Sequence, residues 1–258
     1  MKLLLSAVLW EKQCKEGLSQ AELVGLAREM KLSGVEFRPF WHDQEAEIDQ
    51  AAKLLSQFGL SAAYAANDGL LGEDQSQTLQ SLSALRQSLR IAEHLGAKVL
   101  RMNVAVGAFA PNLAKTDWWL REVRDILAEA KKSSIVLAVE NGPSVDKGDA
   151  ALLAELLATV NSPDFTLTFD TANWLYAGLQ PEKALEQFLP HIGYVHLKDA
   201  VSDQGVLKHS HPGSGLVDVR GMYRKMLASG YDGFAALEFP GGNDPVGRAK
   251  AVAGYLQA

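Results

Sequence analysis

A single-domain α/β fold of the (β/α)8 barrel type, spanning residues 1–258, is what this sequence predicts. Three observations predict it. Short apolar runs alternate with longer amphipathic segments along the whole chain. Its 258 residues match the roughly 250 that such a barrel needs. An open doubly wound sheet, the other βα arrangement, usually carries a Gly-rich turn after its first strand; here that turn reads Glu11, Lys12, Gln13 and Cys14.

The strand candidates span residues 2–10, 34–39, 60–67, 98–105, 135–141, 165–171, 193–200 and 233–240. Each is almost continuously apolar until its last residues, as parallel strands buried on both faces are. Helix candidates span 18–31, 43–58, 73–95, 116–132, 148–160, 181–189, 217–228 and 244–256. Ser19 and Glu22 have the spacing of a capping box at the first. Pro181 stands where a first helical turn accepts proline, and Gly59 and Gly230 stand where helices end. Strict alternation gives a parallel sheet, and about eight units in this length favour closure.

Composition narrows the function classes. Apolar residues make up 47% and charged residues 22%, ordinary for a globular domain with a core of its own. Cys14 stands alone, so no intramolecular disulfide can form; this fits a cytoplasmic setting, with Cys14 a passive residue of the first loop. A formal net charge of −6 without any Lys/Arg run argues against a nucleic-acid partner. No GxGxxG, P-loop or nucleophile elbow marks a strand end, so no nucleotide cofactor is expected. Met1-Lys2 and the apolar residues 3–10 resemble the start of a secretory signal, but Glu11 and Lys12 stand where its cleavage site should lie. A buried first strand explains them better. No run approaches the roughly 18 apolar residues of a membrane span.

The informative residues are those that break the strand pattern. Strand five ends in Glu140-Asn141, strand six in Asp170-Thr171, strand seven in His196-Leu197-Lys198-Asp199 and strand eight in Glu238-Phe239-Pro240. In a barrel these ends converge on one mouth. Taken singly, a strand-end Asp caps the next helix and a His is a satisfied core residue. On four successive strands they make a set. Three carboxylates stay ionised in a small low-dielectric volume only beside a cation. With one imidazole added, Glu140, Asp170, His196 and Glu238 suit a divalent metal: Mn2+ first, with Mg2+, Co2+ and Zn2+ as alternatives.

The sequence also resembles the xylose isomerase-like TIM-barrel superfamily, in its sugar phosphate isomerase and epimerase branch. The resemblance covers essentially the whole chain. It is carried by Gly34-Val35-Glu36-Phe37-Arg38, Val139-Glu140-Asn141, Phe169-Asp170-Thr171-Ala172-Asn173, Val195-His196-Leu197-Lys198-Asp199, Pro212-Gly213-Ser214-Gly215 and Gly230-Tyr231-Asp232-Gly233. It implies the same four ligands, and a metal that polarises a hydroxy-carbonyl substrate while an enediolate forms. Glu140 and Glu238 then serve as base and acid on opposite faces, as in D-tagatose 3-epimerase-type members. This chain departs from those members at Asn173, where they carry His, and in having Lys198 and Asp199 where they place Arg soon after the metal His. Substrate contacts have therefore diverged.

Lys198 shares parity with His196 and is read as a substrate contact; Asp199, of opposite parity, caps or pairs. Asn173, Arg38, Arg101, Asn67, Trp10 and His211 complete the candidate substrate contacts, with Trp41 and Trp174 also placed to stack on a sugar ring. Glu36 is expected to pair with Arg38, His209 to lie in an exposed loop, and Trp118 and Trp119 to pack. The leading expectation is an isomerase or epimerase on a small carbohydrate, in a chain that can self-associate as dimer or tetramer. A lyase or dehydratase fits the same ligands. An endonuclease IV-like phosphodiesterase would need further His and Glu ligands, and a silent sugar-binding protein would not need the full set.

Overall fold

A computed structural model describes all residues, 1–258. In chain order the elements are β1 (Lys2–Ser6), α1 (Glu11–Lys15), α2 (Glu22–Glu29), β2 (Gly34–Phe37), α3 (Gln44–Phe58), β3 (Ser61–Leu71), α4 (Gln75–His94), β4 (Val99–Ala105), α5 (Asp117–Lys132) and β5 (Val136–Glu140). There follow α6 (Ala150–Val160), β6 (Phe165–Asp170), α7 (Asn173–Tyr176), α8 (Pro181–Phe188), β7 (Ile192–Leu197), β8 (Asp199–Asp203), β9 (Val206–Ser210), α9 (Val219–Ala228), β10 (Phe234–Leu237) and α10 (Pro245–Gln257). Eight parallel strands close a barrel in the order β1-β10-β7-β6-β5-β4-β3-β2. The molecule is thus the (β/α)8 barrel that the alternating pattern predicts.

Strand pleating sorts the side chains. Outward residues such as Leu5, Phe37, Leu137 and Phe169 pack under the helices in one large core. Inward residues Leu4, Ala63, Val99, Ala138, Tyr194 and Ala236 form a second, smaller cluster that fills the barrel floor. Strands β1 and β2 run parallel with Ser6 level with Glu36, and Ser61 packs so close to Gly34 that a Cβ there would lie 1.8 Å from its carbonyl oxygen. Helix ends follow local chemistry: Asp43 and Asp244 cap α3 and α10, Pro181 opens α8, and Gly59 closes α3 in the left-handed region at φ +64°. No helix is long and apolar enough to cross a membrane.

The structure departs from the pattern reading in four places. The first strand stops at Ser6 rather than running to residue 10, because Ser6 Oγ accepts from Val8 N and turns residues Ala7–Trp10 into a 3-10 helix. The capping box at Ser19 does not form: Ser19 Oγ and Gln20 N both donate to Glu47 Oε2 of α3, so a carboxylate from the next helix takes over the task. The third strand runs on to Leu71 through an irregularity between Ala65 and Gly69. The predicted seventh strand breaks after Leu197, and the segment beyond folds as the antiparallel hairpin β8–β9.

Candidate metal centre

At the mouth, the next inward residues above the floor are ionisable. One ligand atom each from Glu140, Asp170, His196 and Glu238 lies within 4.8 Å of every other. All four residues are buried, His196 and Asp170 completely. Three side chains are oriented by contacts that the strand ends supply. Asp170 Oδ1 accepts from Ala172 N and Asn173 N at 2.9 Å each, so one oxygen caps α7 while Oδ2 faces the cluster. Asn141 locks that strand end, accepting from Asp170 N at 2.8 Å and donating to Asp170 O at 3.2 Å. Asn173 Nδ2 donates to Asn141 O at 2.8 Å and lies 3.3 Å from Glu140 Oε1.

His196 is set by a residue 160 positions away in the chain and three strands away around the barrel. Its Nε2 lies 2.6 Å from Glu36 Oε2, which also accepts from Tyr194 Oη at 2.8 Å, while Glu36 Oε1 accepts from Ser6 Oγ at 2.7 Å. A proton on Nε2 is shared with Glu36, leaving Nδ1 to face the carboxylates at 3.0 Å from Glu140 Oε1 and 3.1 Å from Glu238 Oε2. This carboxylate–imidazole pairing is the arrangement that orients histidine ligands of metals.

Three buried cations complete the cluster. Arg38 bonds Glu36 at 3.1 Å and Glu238 at 2.6 Å. Lys198 Nζ lies 2.7 Å from Asp170 Oδ2 and 3.1 Å from Glu238 Oε2. Arg101 meets Glu140 Oε2 and donates to Ala66 O. Burial alone would push Glu36 and Glu238 up; the charges of His196 and Arg38 outweigh it at Glu36, and those of His196, Lys198 and Arg38 at Glu238, so both sit well below the usual carboxylate range. For Asp170 burial wins, and its carboxyl is raised despite Lys198. Burial and Arg38 draw Arg101 down to about 10, still cationic at neutral pH.

These residues fit a divalent ion. Glu140 Oε2 and Asp170 Oδ2 are buried, accept no formed hydrogen bond and meet only cationic side chains. Ligands about 2.1 Å from an ion sit at most about 4.2 Å apart. The present spread of 4.8 Å therefore needs a contraction of about 0.6 Å or more. Three carboxylates and one imidazole nitrogen form an oxygen-rich set suited to a hard or borderline cation.

A family model described as xylose isomerase-like TIM barrel matches residues 24–258. The chain belongs to that family. A curated relative, the inosose dehydratase of Lacticaseibacillus casei, is 26% identical over 121 residues, 40% of this chain and 41% of that protein. The match thus spans about two fifths of the relative's length. Among solved structures, the IolI protein with a bound zinc atom superposes with a TM-score of 0.78 at 15% identity, over 100% of this chain and 95% of the other. L-ribulose 3-epimerase superposes with a TM-score of 0.76 at 16% identity, over 99% and 93%. At such identities these two likenesses speak for the fold.

In this xylose isomerase-like barrel a cavity of about 820 Å3 opens above the centre, lined by Arg38, Asn67, Lys198, His209 and Glu238 among others. Arg38, Asn67 and Lys198 therefore reach it as their positions predict. Five expected contacts lie elsewhere. Trp10 is 5% exposed and packs in the core, because the 3-10 turn after Ser6 rotates it away from the mouth. Trp174 is wholly buried and stacks against Phe188. Trp41 stacks between Phe37 and Tyr64. Arg101 spends its guanidinium on Ala66 O and Glu140, which makes it a support for the centre. His211 lines a neighbouring cavity beside Tyr255, since the hairpin points His209 into the mouth instead. Asp199 accepts from Gly215 N, Val217 N and Ala200 N, the capping role expected of it, and pins the glycine loop beside the hairpin.

Two features were not legible in the chain. Glu36 holds His196 as well as Arg38, a link across the barrel that no local pattern signals. Tyr176, on the one-turn α7, packs its ring at a tilt against His209 at 4.8 Å between ring centres, and its buried hydroxyl has no partner. Burial raises that hydroxyl, with Lys198 and Asp170 near enough to act on it.

Proposed function

We propose that the protein is a metal-dependent isomerase or epimerase that moves a proton next to the carbonyl of a sugar-like substrate, through an enediolate. One observation carries the reading: four ligand atoms on four barrel strands within 4.8 Å, with the imidazole already oriented by Glu36. A bound divalent ion, Mn2+ by preference, would supply Lewis-acid polarisation of the carbonyl oxygen and positive charge against the oxyanion.

The chain's own residues supply the rest. Glu140 and Glu238 stand on strands separated by two others around the barrel, so they flank the space above the floor from two sides. Glu238, a carboxylate on the cavity wall, would take the proton. Glu140 is held by Asn173 and Arg101 and returns a proton from the other side. Lys198 Nζ and Arg38 offer donors to substrate oxygens at the cavity wall. Tyr176 Oη and Asn173 Oδ1, both unpaired, offer further polar contacts.

A second reading, loss of water from the same carbanionic species, is favoured by the relative that is an inosose dehydratase. Calorimetric titration of chelator-stripped protein with Mn2+, followed by hydroxy-ketone incubation in D2O, tests both. One site per chain and deuterium incorporation without loss of water support the first. Release of water supports the second. No binding of Mn2+, Mg2+, Co2+ or Zn2+ ends both.

A further inference from the structure

A second cavity adjoins the first at the mouth. We propose that it is a subsite for a neutral second ring, so that the substrate is a keto-sugar joined to another sugar unit rather than a free monosaccharide. The inference rests on the function proposed above and specifies its substrate class.

This cavity, of about 300 Å3, lies above the ends of β3, β4 and β5, where Asn67, Asn103, Val106, Pro143 and Lys147 line it. Asn67 also lines the main cavity, so the two meet at that residue. They take different sides of the metal centre. Glu238 walls the main cavity, whereas Asn103 is level with Glu140 on the neighbouring strand. A reacting carbon held between Glu140 and Glu238 therefore has one cavity on each side, and its two substituents leave in opposite directions. Ligand pockets measure roughly 300–1,000 Å3, so the second cavity has room for one ring.

Both walls of this space are built. On one side, Ala65 pairs with Arg101 and Gly69 with Asn103, so β3 bulges against a shorter stretch of β4. The bulge carries Asn67 to the boundary of the cavities, where its carbonyl accepts from Asn103 Nδ2 at 2.9 Å. Bulges re-aim side chains beside active sites in this way. On the other side, the loop after β5 is tied to itself: Gly142 N donates to Lys147 O at 3.1 Å and Gly148 N to Ser144 O at 2.8 Å. The lining identifies the occupant. Val145 and Val106, in the loops that frame the cavity, are 73% and 64% exposed, more than any other large apolar residue. Such aliphatic groups suit the C–H face of a sugar ring, while Asn67, Asn103 and Lys147 offer polar atoms to its hydroxyls. Lys147 is the one charged lining residue, and Asp146 next to it in the loop balances it, so the subsite does not select an anion.

Four ketodisaccharides carry a glucosyl unit at successive positions of fructose: turanose, maltulose, leucrose and isomaltulose. Each of them, and D-fructose itself, is titrated calorimetrically into the Mn2+-loaded protein and into Val106→Trp, whose indole fills the second cavity. At least one ketodisaccharide is expected to bind about tenfold or more tighter than fructose, because a second ring adds contacts without a second loss of translational freedom. The variant is expected to lose that preference while binding Mn2+ as the wild type does. Comparing one ligand across the two proteins cancels differences between the sugars' own ring forms. If no ketodisaccharide binds tighter than fructose, or if the preference survives in Val106→Trp, the inference is overturned. If Mn2+ binds and fructose exchanges a proton in D2O without any such preference, only this inference falls. If no metal binds, the function proposed above falls with it.

Discussion

The floor and the mouth of the barrel are built on the same pleat, two residues apart, and are chemical opposites. Ala138 lies below Glu140, Tyr194 below His196, Ala236 below Glu238 and Val99 below Arg101. The floor is small and apolar, and it fills the barrel by packing alone. The mouth buries a network of four carboxylates, three cations and an imidazole, in which each charge depends on its partners. Burying such groups yields little net stability even when they are paired, while deleting one partner costs about 3–5 kcal/mol. The difference teaches that one end of the barrel maintains the fold and the other holds charge ready for a ligand.

The largest effect should come from breaking the mouth at a ligand. Glu238→Gln and Asp170→Asn are each expected to weaken Mn2+ binding by more than about 100-fold in calorimetry, since loss of outer-shell partners alone costs 10–100-fold. In wild type, Mn2+ at 100 times its dissociation constant should add about 2.7 kcal/mol of stability. For a chain of this size that is a rise of roughly 5–10 °C in Tm, which either variant should abolish. A floor substitution separates the two ends. Ala236→Leu is expected to cost about 1–3 kcal/mol in chemical denaturation by overpacking, with Mn2+ affinity of the folded protein unchanged. Loss of metal affinity there would show that the two layers are one unit.

Glu36→Gln tests the orienting link. It is expected to lower Mn2+ affinity about 10–100-fold by freeing the ring of His196, with the four ligands all present. Tyr194→Phe probes the contact between floor and mouth, because Tyr194 packs in the floor while its hydroxyl donates to Glu36. A loss of about 1 kcal/mol in stability and a small loss of metal affinity are expected. The smallest effect belongs to His211→Ala, which should change stability by less than about 0.5 kcal/mol and leave Mn2+ affinity intact, since His211 lies in the neighbouring cavity. A large effect would return His211 to the mouth.

Closure into a barrel, the order of the eight strands and the gathering of Glu140, Asp170, His196 and Glu238 at one mouth were legible in the sequence alone. Period and parity settle them: apolar runs separated by helices must close, and an ionisable residue ending an inward row must face the mouth. Lys198 was placed beside the site by the same counting, and Asn173 by the family motif that the sequence resembles. Tertiary structure decided what distant segments do to one another. Only the folded barrel brings Glu36 to His196 and Arg38 to Glu238, contacts between residues 160 and 200 positions apart. Turns decided the aromatic residues: the 3-10 turn after Ser6 buries Trp10, and the one-turn α7 buries Trp174 while leaving Tyr176 beside the cavity. The hairpin decided between two histidines, sending His209 to the mouth and His211 past it. Local pattern records which face of an element is apolar. It carries no record of where a loop returns, because that depends on hydrogen bonds formed only after the barrel has closed.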